Sequence, residues 1–460
     1  MLTSIQETGE LLRRREVSPV ELTKNCLAQI EKLNSTLNAF ITVTSDSALA
    51  QAHEAEEEIL HGNWRGPLHG IPLALKDLID TAGIRTTAAS AVFKDRIPEE
   101  DAEVVRPLKD AGVIFLGKQN LHEFAYGGSS MISYYGEVHN PWDPARIAGG
   151  SSGGSAASVA AGLCYGAIAT DTAGSVREPA ALCGVVGLKP TYGRIGARGI
   201  IPLSPSLDHV GPIARTVSDA AVMLQAIAGH NENGANAPAG DYLAAIRERL
   251  TPLRIGVPRK FFYEDLDPEV AFAVEEALGI LRDLGNDLFE IEIDVPTDRT
   301  LQAAESYAYH REFVLRSPHL YQAETLRRIR TGEAISAAQV EEAGRELKQT
   351  RSEIRKVFEN VDVLVTPTTP IPAPAIADLK RNPDALRPCE LVLLRNTRPA
   401  NVWGLPAISI PCGFTSAGLP IGLQIIGPHW REERVLQLAY AYEQATDWHA
   451  LSPRLAGLDC

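Results

Sequence analysis

The sequence has no apolar run that approaches the roughly 20 residues needed to cross a bilayer. Its first residues, MLTSIQETGELLRRR, lack the basic-then-apolar order of a secretory signal and are typical of the start of a helix. These two absences predict a cytoplasmic protein that does not act on a membrane.

Cysteine and positive charge are also in short supply. The six cysteines of the 460 residues form no C-x-x-C pair, and scattered cysteines in a long chain predict free, mostly buried thiols rather than disulfides. The 44 Lys and Arg residues against 58 Asp and Glu residues give a formal net charge of −14. This acidic balance disfavours a direct grip on the phosphates of nucleic acid, although it is compatible with a small basic pocket.

Several catalytic signatures are missing. The sequence contains no G-x-x-x-x-G-K-[ST] phosphate loop, no H-E-x-x-H pair and no cysteine–histidine spacing for zinc. The S-x-x-K motif of β-lactamases is absent as well. We therefore expect no metal and no cofactor, and a serine–lysine mechanism without histidine remains open.

Glycine, alanine and serine are concentrated between residues 148 and 190. Two turns in this stretch, 149–154 and 171–175, each carry serine and are separated by a short helix-plus-strand pattern. Glycine lets backbone N–H groups crowd against a ligand and tolerates unusual dihedral angles. The pattern predicts an anion-binding set of N–H groups beside a nucleophile, and therefore an enzyme.

The order of the predicted elements indicates an α/β protein. An apolar strand within 66–80, a helix over 101–111 and a strand over 113–118 form a βαβ unit, which implies a parallel sheet. We expect one domain over residues 1–460. Its predicted parts are an N-terminal helical arm (1–62), a core (66–230), a surface linker (231–240) and a helical insertion covering the site (295–360).

Lys76 lies inside the apolar strand pattern. A lysine in such a strand either extends its amine to the surface or is buried for a functional reason. The residues alone leave both interpretations open.

Three segments, in this order, carry a resemblance to a known family: GIPLALKD (70–77), GGSSGGSAA (149–157) and DTAGSVREPAALCGVVGLKP (171–190). Together they resemble the amidase signature family, a group of Ser-Ser-Lys amide hydrolases. The similarity continues through residues 140–142, 363–370 and 418–427. The resemblance implies a single large mixed sheet, mostly parallel at its core, sandwiched between helices.

The resemblance also implies roles for individual residues. Ser175 matches the nucleophile, Ser151 the bridging serine that follows a cis peptide bond, and Lys76 the general base. A lysine accepts a proton only when it is neutral, which requires burial away from water. The resemblance implies an oxyanion hole formed by Thr172, Ala173, Gly174 and Ser175. It implies an acyl pocket lined by Ala125, Tyr126 and Gly127.

Two positions depart from the commonest family pattern, and two neighbours are expected to be structural. Ala173 stands where glycine is frequent, so its backbone must adopt angles that alanine accepts. Glu178 stands where an uncharged or basic side chain is common, and an acid there is expected to disfavour carboxylate substrates. Asp171 and Arg177 are expected to pin the second turn.

The family contains free-standing amidases and the glutaminase-type subunit of an aminoacyl-tRNA amidotransferase. The latter often resembles N-M-D-E-F-A-M-G where this chain has NLHEFAYG (120–127). Leu121, His122 and Tyr126 favour a free-standing hydrolase. Its expected substrate is a small carboxamide or carbamate-like compound, which forms an acyl-enzyme that water then hydrolyses. A homodimer is the assembly that we consider. Two alternatives remain, which are a catalytically silent ligand-binding scaffold of the same fold and the amidotransferase subunit.

Overall fold

The computed structural model describes residues 3–229 and 240–455, and its centre is one sheet of eleven strands. Apart from Gly240, the linker predicted at 231–240 lies outside the described residues. In chain order the strands are β1 (Phe40–Val43), β2 (Pro72–Lys76), β3 (Ile114–Gln119), β4 (Gly166–Asp171), β5 (Val186–Lys189), β6 (His209–Ala214), β7 (Arg254–Val257), β8 (Asp287–Glu290), β9 (Val363–Pro367), β10 (Ala407–Phe414) and β11 (Pro420–Ile426).

Helices flank this sheet and fill most of the segments between strands. In chain order they are α1 (Ile5–Arg13), α2 (Pro19–Leu37), α3 (Ser45–Leu60), α4 (Val105–Asp110), α5 (Gly153–Ala160), α6 (Arg177–Cys183), α7 (Val217–Ile227), α8 (Tyr242–Arg247), α9 (Arg259–Phe262), α10 (Pro268–Asp283), α11 (Thr300–Arg316), α12 (Ala323–Arg330), α13 (Ala337–Glu353), α14 (Ile376–Arg381), α15 (Leu386–Leu393), α16 (Arg398–Val402) and α17 (Glu432–Gln444). None of the helices among the described residues is long and apolar enough to cross a membrane.

The strand order is β1-β3-β2-β4-β6-β5-β10-β11-β9-β7-β8. This arrangement confirms the α/β class and the single large mixed sheet, but the expectation of a mostly parallel core is wrong. Four neighbouring pairs are parallel and six are antiparallel, and five of the six antiparallel pairs are consecutive in the middle of the sheet, from β4 to β9. The βαβ unit in the sequence predicts the relative direction of β2 and β3 only, and these two strands are parallel. The β10–β11 hairpin and the pairing of β6 with β4 make the centre of the sheet antiparallel.

The segment 184–199 is punctuated by glycine and contains the short strand β5 at Val186–Lys189. This strand pairs with β6 on one side and with β10 on the other. Four residues are too few to show a periodic pattern, so a strand of this length is visible only through its partners.

Local sequence signals fix the ends of the N-terminal helices. At the start of α2 the side chain of Ser18 accepts hydrogen bonds from the N–H groups of Val20 and Glu21, with Pro19 at the first helical position. Strand β1 pairs with β3, so the N-terminal segment also contributes the first strand of the sheet.

Candidate functional site

The parallel pairing of β2 and β4 positions the first part of the site. The carboxyl ends of neighbouring parallel strands meet at one edge of a sheet, and Lys76 ends β2 while Asp171 ends β4. Lys76 is fully buried. Its Nζ atom lies 2.7 Å from Ser151 Oγ and 2.9 Å from Thr170 Oγ1. Burial of the amine therefore excludes the interpretation that Lys76 extends to the surface.

Burial also changes the acidity of this amine. Removal from water lowers the pKa of Lys76 to about 7, although Asp171 and Asp208 act in the opposite direction. A large fraction of the lysine is consequently neutral near pH 7, and a neutral amine can accept a proton.

Ser151 lies in the first glycine-rich turn, directly before α5. The peptide bond between Gly150 and Ser151 is cis, as the resemblance implies. The carbonyl oxygen of Ser151 accepts hydrogen bonds from the N–H of His122 at 3.0 Å and from Ser130 Oγ at 3.2 Å. These contacts join the turn to the loop that follows β3.

Asp171 holds the second turn in place. Its carboxylate accepts hydrogen bonds from the N–H groups of Gly174 at 2.7 Å and Val176 at 3.1 Å. It also forms a fully buried ion pair with Arg177 at 3.0 Å, and this cation holds the pKa of Asp171 well below its usual range despite burial. The expected structural role of Asp171 and Arg177 is thus confirmed.

The N–H groups of Thr172, Ala173 and Ser175 donate to no acceptor among the described residues. The N–H of Gly174 is already bonded to Asp171, which removes Gly174 from the predicted set of oxyanion donors. Ala173 is not among the residues with positive φ, so its backbone angles suit alanine. Gly174 has a φ of +130°, and a Cβ atom there would lie 1.9 Å from Thr397 Oγ1. Glycine is therefore required at position 174 by the turn itself.

A small cleft opens beside this turn. Ser175, which is 4% exposed, lies on its wall together with Thr172 and Ala173. The predicted acyl-pocket residues Ala125, Tyr126 and Gly127 line it as well, while Lys76 and Ser151 are not among its lining residues. The sequence did not indicate the remaining lining residues, which are Leu203, Arg299, Gln302, Arg387 and Leu394.

For these five further lining residues, the sequence provides at most a partial indication of their position. Arg299 and Gln302 fall in the segment predicted to cover the site, so their neighbourhood was expected but their roles were not. Arg387 and Leu394 belong to or directly follow α15, which comes after a proline-rich connection. No local pattern distinguishes them from other residues of a surface helix.

Arg328 on α12 binds the loop that carries Tyr126. Arg328 donates to the carbonyl oxygen of Tyr126 at 2.6 Å and pairs with Glu390 at 2.7 Å. A Cβ atom at Gly127 would lie 2.2 Å from the ring of His122 and 2.6 Å from the Arg328 guanidinium. The loop and α12 therefore pack too closely for any larger residue.

Glu178 does not oppose carboxylates in the way that the sequence suggested. Its Oε2 atom accepts a hydrogen bond from the N–H of Gly150 at 2.7 Å, and the residue is fully buried outside the set that lines the cleft. Burial raises the pKa of Glu178 well above its usual range. Because Glu178 lies outside that set, its carboxyl group does not face a ligand in the cleft.

Comparisons with known proteins agree with this geometry. The sequence model of the family described as Amidase matches residues 21–436. A glutamyl-tRNA(Gln) amidotransferase subunit from Methylococcus capsulatus is 42% identical over 98% of each chain. Among solved structures, 6-aminohexanoate cyclic dimer hydrolase aligns with a TM-score of 0.90 at 30% identity over 98% of each chain. A glutamyl-tRNA(Gln) amidotransferase subunit from Thermotoga maritima aligns with a TM-score of 0.76 at 34% identity, covering 96% of this chain and 94% of its own.

These matches bear on the two enzymatic interpretations of the sequence. The relatives in sequence support the alternative of an amidotransferase subunit better than the free-standing hydrolase that Leu121, His122 and Tyr126 favour. Both interpretations have amide hydrolysis in common.

Proposed function

The chain belongs to the amidase family, and we propose on this premise that it hydrolyses the carbon–nitrogen bond of a small amide through Ser175, Ser151 and Lys76. One observation carries the proposal: a fully buried lysine amine lies 2.7 Å from Ser151 Oγ, at the same edge of the sheet as the turn that carries Ser175. Buried amines are rare unless they are paired with charge or serve chemistry.

The proposed reaction begins with attack of Ser175 Oγ on the substrate carbonyl carbon. A carbon–oxygen bond forms, and the Ser175 proton passes through Ser151 to neutral Lys76. The N–H groups of Thr172, Ala173 and Ser175 stabilise the negative oxygen that develops, and loss of one such donor costs about 3–4 kcal/mol. The carbon–nitrogen bond then breaks as the same proton returns to the leaving amine. Water subsequently releases the acyl group from Ser175.

Covalent labelling with a fluorophosphonate probe tests the nucleophile. The intact chain should react with the probe and release ammonia from simple amides, while Ser175→Ala should lose both properties. Ser47→Ala is the matched control because the Ser47 side chain is exposed on α3. Labelling that survives in Ser175→Ala would contradict the assignment and would support a nucleophile elsewhere. An intact chain that neither reacts nor hydrolyses amides would support the silent-scaffold alternative.

A second candidate is the amidotransferase subunit, favoured by the names of the relatives in sequence. In this role the chain would release ammonia from glutamine for use by partner subunits. Co-purification with such partners, together with glutamine-dependent ammonia release, tests it. A carbamate-like substrate, cytoplasmic residence and a homodimer stay predictions from the sequence.

A further inference from the structure

The cleft beside Ser175 concentrates positive charge in a chain whose net charge is −14. Arg299 and Arg387 are among its eleven lining residues, and none of those eleven is acidic. An acidic protein that gathers two arginines at one small opening creates a local site for an anion.

Arg299 is the clearer of the two cations. Its side chain makes no hydrogen bond or ion pair with any residue that the structure describes. Burial lowers its pKa to about 9, and the neighbouring cations Arg398 and Arg387 act in the same direction. Partial burial of a guanidinium without an anionic partner costs free energy. A ligand carboxylate would offset this cost by pairing with the charge.

Arg387 is only partly compensated by the protein. Its Nη1 atom lies 3.4 Å from Glu390 Oε2, and the same carboxylate oxygen is 2.7 Å from Arg328. One carboxylate therefore serves two arginines, with the shorter contact to Arg328. The positive charge of Arg387 remains available to the cleft that it lines.

From these contacts, and resting on the proposed amide hydrolysis, we propose that Arg299 and Arg387 bind a carboxylate of the substrate. The substrate class is a small amide with a carboxylate at the end remote from the scissile bond, such as a monoamide of a short dicarboxylic acid. Arginine suits this task because its planar fork can bind both oxygens of a carboxylate. The apolar side chains Leu203 and Leu394 line the same cleft and would contact the carbon chain of the substrate.

The same set of residues disfavours an α-ammonium group on the substrate. An amino-acid amide such as glutamine adds a positive charge, and no lining residue supplies a carboxylate to pair with it. Gln302 offers only a neutral side-chain amide. Glutaramate, which is glutamine without its amino group, should therefore be a better substrate than glutamine.

Ammonia release by the intact chain tests this selectivity. The values of kcat/KM for succinamate and glutaramate should exceed those for butanamide and pentanamide by about tenfold or more, as expected for charge-assisted hydrogen bonds. In Arg299→Gln the ratio of glutaramate to pentanamide should fall by about the same factor, and Arg299→Lys should retain part of it. Arg381→Gln is the matched control, because Arg381 is exposed on α14 and pairs with Asp378, and it should keep the ratio of the intact chain.

Equal rates for charged and neutral amides, or an Arg299→Gln chain with an unchanged ratio, would overturn the carboxylate site. Faster hydrolysis of glutamine than of glutaramate would overturn the exclusion of an ammonium group. If no amide is hydrolysed at all, the proposed reaction is wrong, and the carboxylate site is then tested separately by a binding measurement. Ser175→Ala should then bind glutaramate more tightly than pentanamide by calorimetry, and the added change Arg299→Gln should abolish the difference. Equal binding of the two ligands would again overturn the carboxylate site.

Discussion

At the scale of single residues, the proton on Lys76 should set the pH dependence of activity. Burial lowers the pKa of this amine to about 7, and only its neutral form accepts the proton of Ser175. Amide hydrolysis should therefore rise as pH increases through about 7 and level off above it. Measurement of kcat/KM from about pH 5 to 9 checks this, since that parameter reports the free enzyme. A profile that stays flat down to about pH 5 would contradict a lysine base.

Asp171 makes a prediction about stability at the same scale. It is fully buried, and replacement by Asn leaves Arg177 without its anion, which should lower the free energy of unfolding by about 3–5 kcal/mol. Because the folded state lowers the pKa of Asp171, its contribution is present above the unfolded pKa and is lost as pH falls below it.

Urea denaturation of Asp171→Asn against the intact chain measures this difference. Asp378→Asn is the control, because Asp378 pairs with Arg381 on an exposed helix and such pairs contribute about 0–1 kcal/mol. A loss in Asp171→Asn no larger than in the control would show that the buried pair does not hold the turn.

At the scale of elements, two glycine-to-alanine changes should act in opposite directions. In Gly174→Ala the new Cβ atom would lie 1.9 Å from Thr397 Oγ1 at a φ of +130°, so the turn must move and activity should fall by at least about a hundredfold. In Gly344→Ala the new atom meets nothing within 4 Å, and alanine should stabilise α13 by about 0.5–1 kcal/mol without altering activity. Steady-state kinetics and thermal unfolding of both variants check this pair. A fully active Gly174→Ala would show that the turn tolerates displacement.

The elements also show how far the sequence reaches. Lys76, Ser151 and Ser175 lie in three short strings whose resemblance to a known family implies their roles, whereas the residues alone leave the role of Lys76 open. The partners that complete the fold are remote: β5 pairs with β10 across more than two hundred residues, and no local pattern of four residues specifies that contact. Of the cleft arginines, Arg299 directly precedes α11 and Arg387 lies in α15. In the sequence, an arginine in or beside a helix cannot be distinguished from an ordinary solvated charge until the helices pack.

The same dependence on remote contacts limits what could be said of Gly174. Its sequence context indicated a donor in an oxyanion hole. In the folded turn this N–H donates to the side chain of Asp171 instead, and this contact cannot be seen in the sequence.

At the scale of the whole molecule, the N-terminal segment should be inseparable from the rest. Residues 1–62, which the sequence analysis treats as an N-terminal helical arm, contribute β1, which pairs with β3. Ile5, Leu12 and Ile30 of this segment are buried in the principal core. A chain that begins at residue 63 would expose these core contacts and leave the apolar β3 as an open edge, which promotes aggregation.

We therefore expect the chain of residues 63–460 to be recovered as aggregate, or as a species without a cooperative thermal transition and without fluorophosphonate labelling. Size-exclusion chromatography, circular dichroism and labelling of the truncated and intact chains measure the three properties. Adding residues 1–62 as a separate chain during refolding tests the cause, because restored pairing of β1 with β3 should recover part of the labelling. A truncated chain that stays monomeric, unfolds cooperatively and still reacts with the probe would show that the sheet closes without β1 and that the segment is a detachable arm.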